Sequence, residues 1–127
     1  MLHDLKLTKD DCPTTEAAKE AMLAYPFRSA ISSLMFAMVA MRADLSYVVT
    51  CIARFSANPG LPHWNALVRV YQYVKGTADL KLTYSRMADT PAPLMYGYSD
   101  ADWATTDIDE RRTCIGYCLF LSGALIL

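Results

Sequence analysis

Gly97-Tyr98-Ser99-Asp100-Ala101-Asp102-Trp103 is the stretch of this chain best suited to chemistry. An alternating apolar run carries Asp100 to what reads as the end of a strand. A rigidly held strand-end carboxylate is a hard oxygen ligand of the kind Mg²⁺ prefers, and such a place suits a metal acting on a nucleic-acid phosphate. Asp102, two residues on, shares the side of Asp100 if the strand continues and otherwise solvates a turn. Further along, Arg111 and Arg112 either touch a phosphate backbone or pair with Asp107, Asp109 and Glu110 beside them. His63, next to Trp64 at a helix start, reads as a packing and capping residue rather than a catalyst.

Two different periodicities position these groups. Up to Lys75 apolar residues recur at helical spacing. Glu16 to Met22 reads as a short exposed helix behind Thr14 and Thr15, broken by Tyr25-Pro26. Ile31, Leu34, Met35 and Met38 form the stripe of a second helix, with Ser29 as its cap. Leu45, Val48, Val49, Ile52 and Phe55 form a third stripe, capped by Asp44 and closed by Asn58-Pro59-Gly60. Pro62 then opens a helix whose face is Trp64, Leu67, Val68, Tyr71 and Val74, with Gly76 as its stop. From Leu80 the period becomes two: Leu80, Leu82 and Tyr84 alternate as one strand, and 86–93 is a loop. Leu94 to Ser99 and Cys114 to Leu121 are further strands joined as a wide hairpin, and Gly123 to Leu127 begins another. The fold class is therefore α+β: three antiparallel helices, then the first antiparallel strands of an incomplete sheet. The corresponding divisions are 1–24, 25–78 and 79–127.

The chain has 127 residues, 54% of them apolar and 20% charged, with a net charge of −1. That charge excludes a global basic field, so any contact with nucleic acid rests on local geometry. The chain opens without a charged-then-apolar leader. The apolar runs 31–41 and 115–127 both fall short of the roughly 18–20 residues that a spanning helix needs. The expectation is an intracellular chain, cytoplasmic or nuclear, with no membrane contact. Cys12, Cys51, Cys114 and Cys118 are then reduced thiols. On one strand, Cys114 and Cys118 stand about 13 Å apart, too far for a disulfide or a shared metal.

Several words in one order give this chain a resemblance. They are Tyr25-Pro26-Phe27-Arg28-Ser29-Ala30-Ile31, Ser33-Leu34-Met35-Phe36, Met41-Arg42-Ala43-Asp44-Leu45-Ser46-Tyr47, Arg54-Phe55-Ser56-Ala57-Asn58-Pro59-Gly60, His63-Trp64 and Tyr73-Val74-Lys75-Gly76-Thr77. The opening stretch follows, then Arg111-Arg112-Thr113 and Gly116-Tyr117. From about Cys12 onward the chain resembles the polyprotein of copia-type LTR retrotransposons, in the region after the reverse-transcriptase palm. The resemblance implies that 25–78 is a helical thumb or connection subdomain and that 79–127 enters a ribonuclease-H-like domain. It implies that Asp100 is the first ribonuclease H carboxylate and that RNA–DNA hybrid is the partner. It also implies Mg²⁺ as the cofactor, two ions about 4 Å apart activating water and steadying the leaving oxygen.

The chain departs from that pattern in informative places. Ala43 stands where a proline is usual, Ser32 where a glycine is usual, and Cys114-Ile115 where the pair usually contains serine. Asp10-Asp11 does not fit the polymerase Tyr-x-Asp-Asp site, and the further ribonuclease H carboxylates belong downstream of the last strand. The chain is thus expected to be a polyprotein fragment, inactive as a nuclease, with no stably bound Mg²⁺ and Asp100 vestigial. The alternative is a non-catalytic interaction module that self-associates through an exposed sheet edge or binds nucleic acid weakly. A translated relic with no selected role is a third reading.

Overall fold

Thr15 starts the first helix: its Oγ1 accepts from the Ala18 N–H at 3.3 Å, satisfying one of the donors every helix N-terminus leaves open. The computed structural model describes residues 7–80, 95–102, 114–121 and 124–126. After a short turn at Lys9–Asp11 come α1 (Glu16–Met22), α2 (Phe27–Ala40), α3 (Ser46–Ala53, entered through a turn at Ala43–Leu45) and α4 (Leu61–Gly76). The strands are β1 (Met95–Asp102), β2 (Cys114–Leu121) and β3 (Ala124–Leu125). Among the described residues the chain is thus α+β, and it divides into two compact units, Met1–Lys81 and Leu82–Leu127. The strand expected at 80–84 and the loop at 86–93 lie outside the described residues apart from Leu80, which is in no strand.

In the helical unit, α2, α3 and α4 pack on one another around Phe27, Ile31, Leu34, Leu45, Val48, Val49, Ile52, Leu67 and Val70, all buried. The α3 stripe is the one expected, with Phe55 buried as well. The α4 stripe is turned by one residue. His63, Ala66, Leu67 and Val70 are its buried side, whereas Tyr71 is exposed and Trp64 and Val68 are half-buried. Met35, expected in the α2 stripe, is exposed, and Phe27 takes a place in the core instead. Among the described residues no single helix is long and apolar enough to cross a membrane.

Three end signals differ from expectation. Ser29 does not cap α2; it lies in the first turn, and Pro26 precedes the helix. Asp44 does not cap α3, because its carboxylate is held by Arg42 at 2.9 and 2.8 Å. Gly76 is the last residue of α4 rather than a left-handed stop. The end is made instead by Thr77, whose Oγ1 donates back to the Tyr73 carbonyl at 2.7 Å.

Arg42 joins these ends. Arg42 is buried, with 6% of the residue exposed. It forks onto both oxygens of Asp44 and donates to the Thr77 carbonyl at 3.2 Å and to Thr77 Oγ1 at 2.8 Å. Tyr73 donates its hydroxyl to Asp44 at 3.1 Å and lies under the guanidinium, 5.6 Å from its ring centre. The exit of α2 is thereby tied to the last turn of α4, where a cation also suits the helix dipole. Lesser ties repeat the idea. Tyr71 donates to the Ala30 carbonyl at 2.9 Å, and Arg28 Nε to the Ser56 carbonyl at 3.1 Å. Asn58 reaches back to the Pro13 carbonyl at 3.2 Å, and Tyr25 packs against Trp64 at 5.0 Å.

In the second unit, β1 pairs antiparallel with β2 from Met95↔Leu121 to Asp102↔Cys114. β3 continues the sheet on the far side of β2, in the order β1-β2-β3. β2 has the expected bounds. β1 runs three residues further than expected, because the backbone of Asp100 to Asp102 stays paired with Cys114–Gly116. The hairpin connection at 103–113 lies outside the described residues.

The bond from Arg42 holds the Asp44 carboxyl below the usual carboxylate range, helped by the Tyr73 hydroxyl and opposed by burial. Its contribution to stability is therefore present above about pH 4 and lost as pH falls through the folded-state value. Arg42→Met is expected to lower the unfolding free energy by about 2–4 kcal/mol and to flatten this acid limb, as read by urea denaturation at several pH values. Gly60→Ala should cost about 1–3 kcal/mol, because the new Cβ would collide with the Asp11 carbonyl. Gly76→Ala, where an added Cβ meets nothing within 4 Å, should be neutral or stabilising by up to about 1 kcal/mol. The same denaturation series checks both.

Candidate functional site

Asp100 lies inside β1, not beyond its end, and stands opposite Gly116. Side chains alternate along a strand and directly opposed pairs share a face. Tyr96, Tyr98 and Asp100 are therefore on one face with Phe120, Cys118 and Gly116. Tyr96 stacks on Phe120 at 5.1 Å and 8°. Tyr98 meets both rings edge-on, at 6.0 Å and 6.1 Å. Asp100 is thus the polar end of an aromatic patch, exposed and facing a glycine whose missing side chain leaves open space.

The other face carries Met95, Ile115, Tyr117 and Leu121, all exposed. Leu119 is half-buried. It sits over Gly97, where an added Cβ would come within 2.6 Å of its Cδ2.

Asp102 is the last residue of β1, opposite Cys114. Arg111 and Arg112, with Asp107, Asp109 and Glu110, lie outside the described residues. Among the described residues no three His, Cys, Asp or Glu side chains stand where they could hold a metal ion. Mg²⁺ demands several oxygen ligands in near-octahedral geometry, so the described residues do not fit a two-metal centre, and no cleavage step is assigned to them. Cys12, Cys51 and Cys118 are thiols.

The helical unit offers two further features. A cleft of about 450 Å³ lies between the end of α1, the start of α2 and the turn 56–59. Its polar lining is Lys19, Arg28, Ser29, Ser56 and Asn58, with no carboxylate for acid–base work. The outer side of α4 is the other feature: Asn65, Arg69, Gln72 and Lys75 are all exposed. Their spacing keeps them on one side of the helix over about 15 Å. From Phe27 to Gly76 the basic residues Arg28, Arg42, Arg54, Arg69 and Lys75 face a single acid, Asp44, which Arg42 engages. Reading net charge over the whole chain concealed this, because the acids lie before Phe27 and after Gly76. A running charge sum along the sequence would have found it.

Comparison with known proteins gives the ancestry. The chain is 41% identical over 122 residues to the retrovirus-related Pol polyprotein from transposon TNT 1-94 of Nicotiana tabacum, an alignment covering 96% of this chain and 9% of that polyprotein. It is 37% identical over 101 residues to the secreted RxLR effector protein 161 of Plasmopara viticola, covering 80% of this chain and 68% of that protein. It is 34% identical over 88 residues to the uncharacterized mitochondrial protein AtMg00240 of Arabidopsis thaliana, covering 66% of this chain and 76% of that one. No family model and no solved structure matches it. The chain belongs to the family of sequences made up of this short stretch of the retrovirus-related Pol polyproteins of plant transposons and its small, separately occurring relatives.

Proposed function

We propose that this chain is the segment of a copia-type polyprotein that connects the reverse transcriptase to the ribonuclease H domain, and that it holds an RNA–DNA hybrid without cutting it. In this reading the helical unit is the thumb-like connection. The sheet is the opening of a ribonuclease-H-like domain, with Asp100 as its first, vestigial carboxylate. The order of the shared words and the 41% identity to the tobacco polyprotein support the ancestry.

The observation that carries the hybrid-holding role is the outer face of α4. Arg69 and Lys75 can each neutralise a phosphate, while Asn65 and Gln72 can donate to backbone oxygens between them. No acid on α4 opposes them. Contacts of this kind position a duplex without reading its sequence, and they weaken steeply with salt. Arg111 and Arg112 are proposed to add to them. Mg²⁺ would belong to the intact polyprotein, with ligands beyond Asp100.

A second reading rests on the edge of β1. Among the described residues β1 is paired on its β2 side alone, and an open edge is a template for strand pairing with another copy.

Purified chain incubated with labelled RNA–DNA hybrid and Mg²⁺ is expected to leave the hybrid intact. Cleavage abolished by Asp100→Asn would overturn the non-catalytic assignment. The hybrid is expected to bind with a salt-dependent affinity, and Arg69→Ala with Lys75→Ala should reduce the slope of log K against log salt by about 2. An unchanged slope would remove α4 from the interface. A sedimentation profile that stays monomeric at high concentration would remove the edge-pairing reading.

A further inference from the structure

His63 has no place in the hybrid-holding role, yet it is the most tightly enclosed polar side chain of the helical unit. It is 0% exposed. Its Nδ1 accepts the Gly60 N–H at 2.9 Å, so the ring proton sits on Nε2. Among the described residues that buried Nε2 has no partner. A buried imidazole with one nitrogen committed as an acceptor and the other unsatisfied is costly. A plain apolar residue would avoid the cost but would leave the Gly60 N–H open at the entry to α4.

We infer that His63 is a proton-operated latch: a second proton on its ring uncaps the start of α4 and releases the Lys9–Asp11 turn that meets it. The reason is geometric. Nδ1 can accept from Gly60 only while it carries no proton. Protonation would set N–H against N–H at this position and place a cation against the Phe55 ring, 4.2 Å away and tilted 32° to the imidazole.

The charged groups around it do not rescue that cation. Asp11, from the preceding turn, draws a proton toward the ring, but its carboxylate already accepts from the Thr8 N–H at 2.8 Å and from Thr8 Oγ1 at 3.3 Å. Arg54, just past the end of α3, lies 5.6 Å from the centre of the same Phe55 ring and brings no negative charge to it. Gly60 also cannot give way, because its α-carbon is packed on the Asp11 carbonyl. The latch therefore couples three pieces of chain at one ring: the 9–11 turn, the 58–60 turn and α4.

Burial pushes the His63 imidazole below the usual histidine value, against the pull of Asp11 and of the Gly60 backbone. The bond from the Gly60 N–H needs the Nδ1 lone pair and is lost when that nitrogen takes a proton. An unfolded histidine titrates near pH 6.5. The stability that the neutral ring provides is complete above about pH 6.5 and is lost as pH falls from there through the folded-state value. Across that window the folding constant falls with pH, by at most about tenfold per pH unit for this one group.

The test follows the full chain from about pH 8 to about pH 5 by amide NMR and by urea unfolding. The expected result is a His63 ring that titrates below the ordinary value, a Gly60 amide resonance that moves with it, and a folding constant falling over the same window. His63→Gln keeps an acceptor for Gly60 and removes the titration, so its folding constant should be flat there. A His63 ring that titrates at the ordinary value, or a Gly60 amide that ignores the titration, would overturn the latch. So would a His63→Gln variant with an unchanged pH profile. The two NMR readouts on the unmutated chain stand even if the variant does not fold.

Discussion

A buried arginine, with 6% of the residue left to water, constrains everything around it. Once Arg42 is buried, the fold must supply acceptors for its fork, and it does so from two places far apart in sequence. Asp44 takes both arms in the adjoining turn, and Thr77 takes the rest from the end of α4. Such a pair adds little net stability over well-packed apolar residues, since desolvation offsets most of the attraction. Its effect is positional: with either partner displaced, a charge is stranded in the core. That asymmetry fixes where α2 ends and where α4 must stop.

The shared words of the sequence take on a physical meaning in this light. The word containing Arg42 and Asp44 touches the word containing Tyr73 and Thr77. The word containing Arg28 touches the one containing Ser56, and His63 rests on Phe55. These residues are the joints between helices, and none of them forms a catalytic constellation in the described residues. Among the described residues this chain brings those joints together. Its candidate contact surface is the outer side of α4, on the opposite flank of that helix from His63 and Leu67.

Much of the helical unit was legible because burial imposes a period of 3.6, and the stripe from Leu45 to Phe55 met that period without exception. The α4 stripe was misplaced by one residue for a definite reason. Aromatic weight at Trp64 and Tyr71 outvoted His63 and Ala66, although a ring with a polar edge is served equally well half-exposed. Caps were misread at Ser29 and Asp44 because a short polar side chain near a helix start has more than one possible partner. Asp44 had a guanidinium two residues away, which outcompetes a backbone amide. On the sheet, β2 was plain from its apolar residues, but the true length of β1 was not. Backbone pairing carried it through Ser99 to Asp102, and register leaves no trace in one strand's own pattern.

If Arg42 and its partners lock the helical unit, α2, α3 and α4 should open together. Native-state hydrogen exchange on the intact chain measures this most directly. The amides of α2, α3 and the last turn of α4, including those near Tyr73 and Thr77, are predicted to share one opening free energy. The Arg42→Met variant should split that α4 turn away from the rest. An α4 terminus that exchanges freely in the unmutated chain while α2 and α3 stay protected would contradict the account.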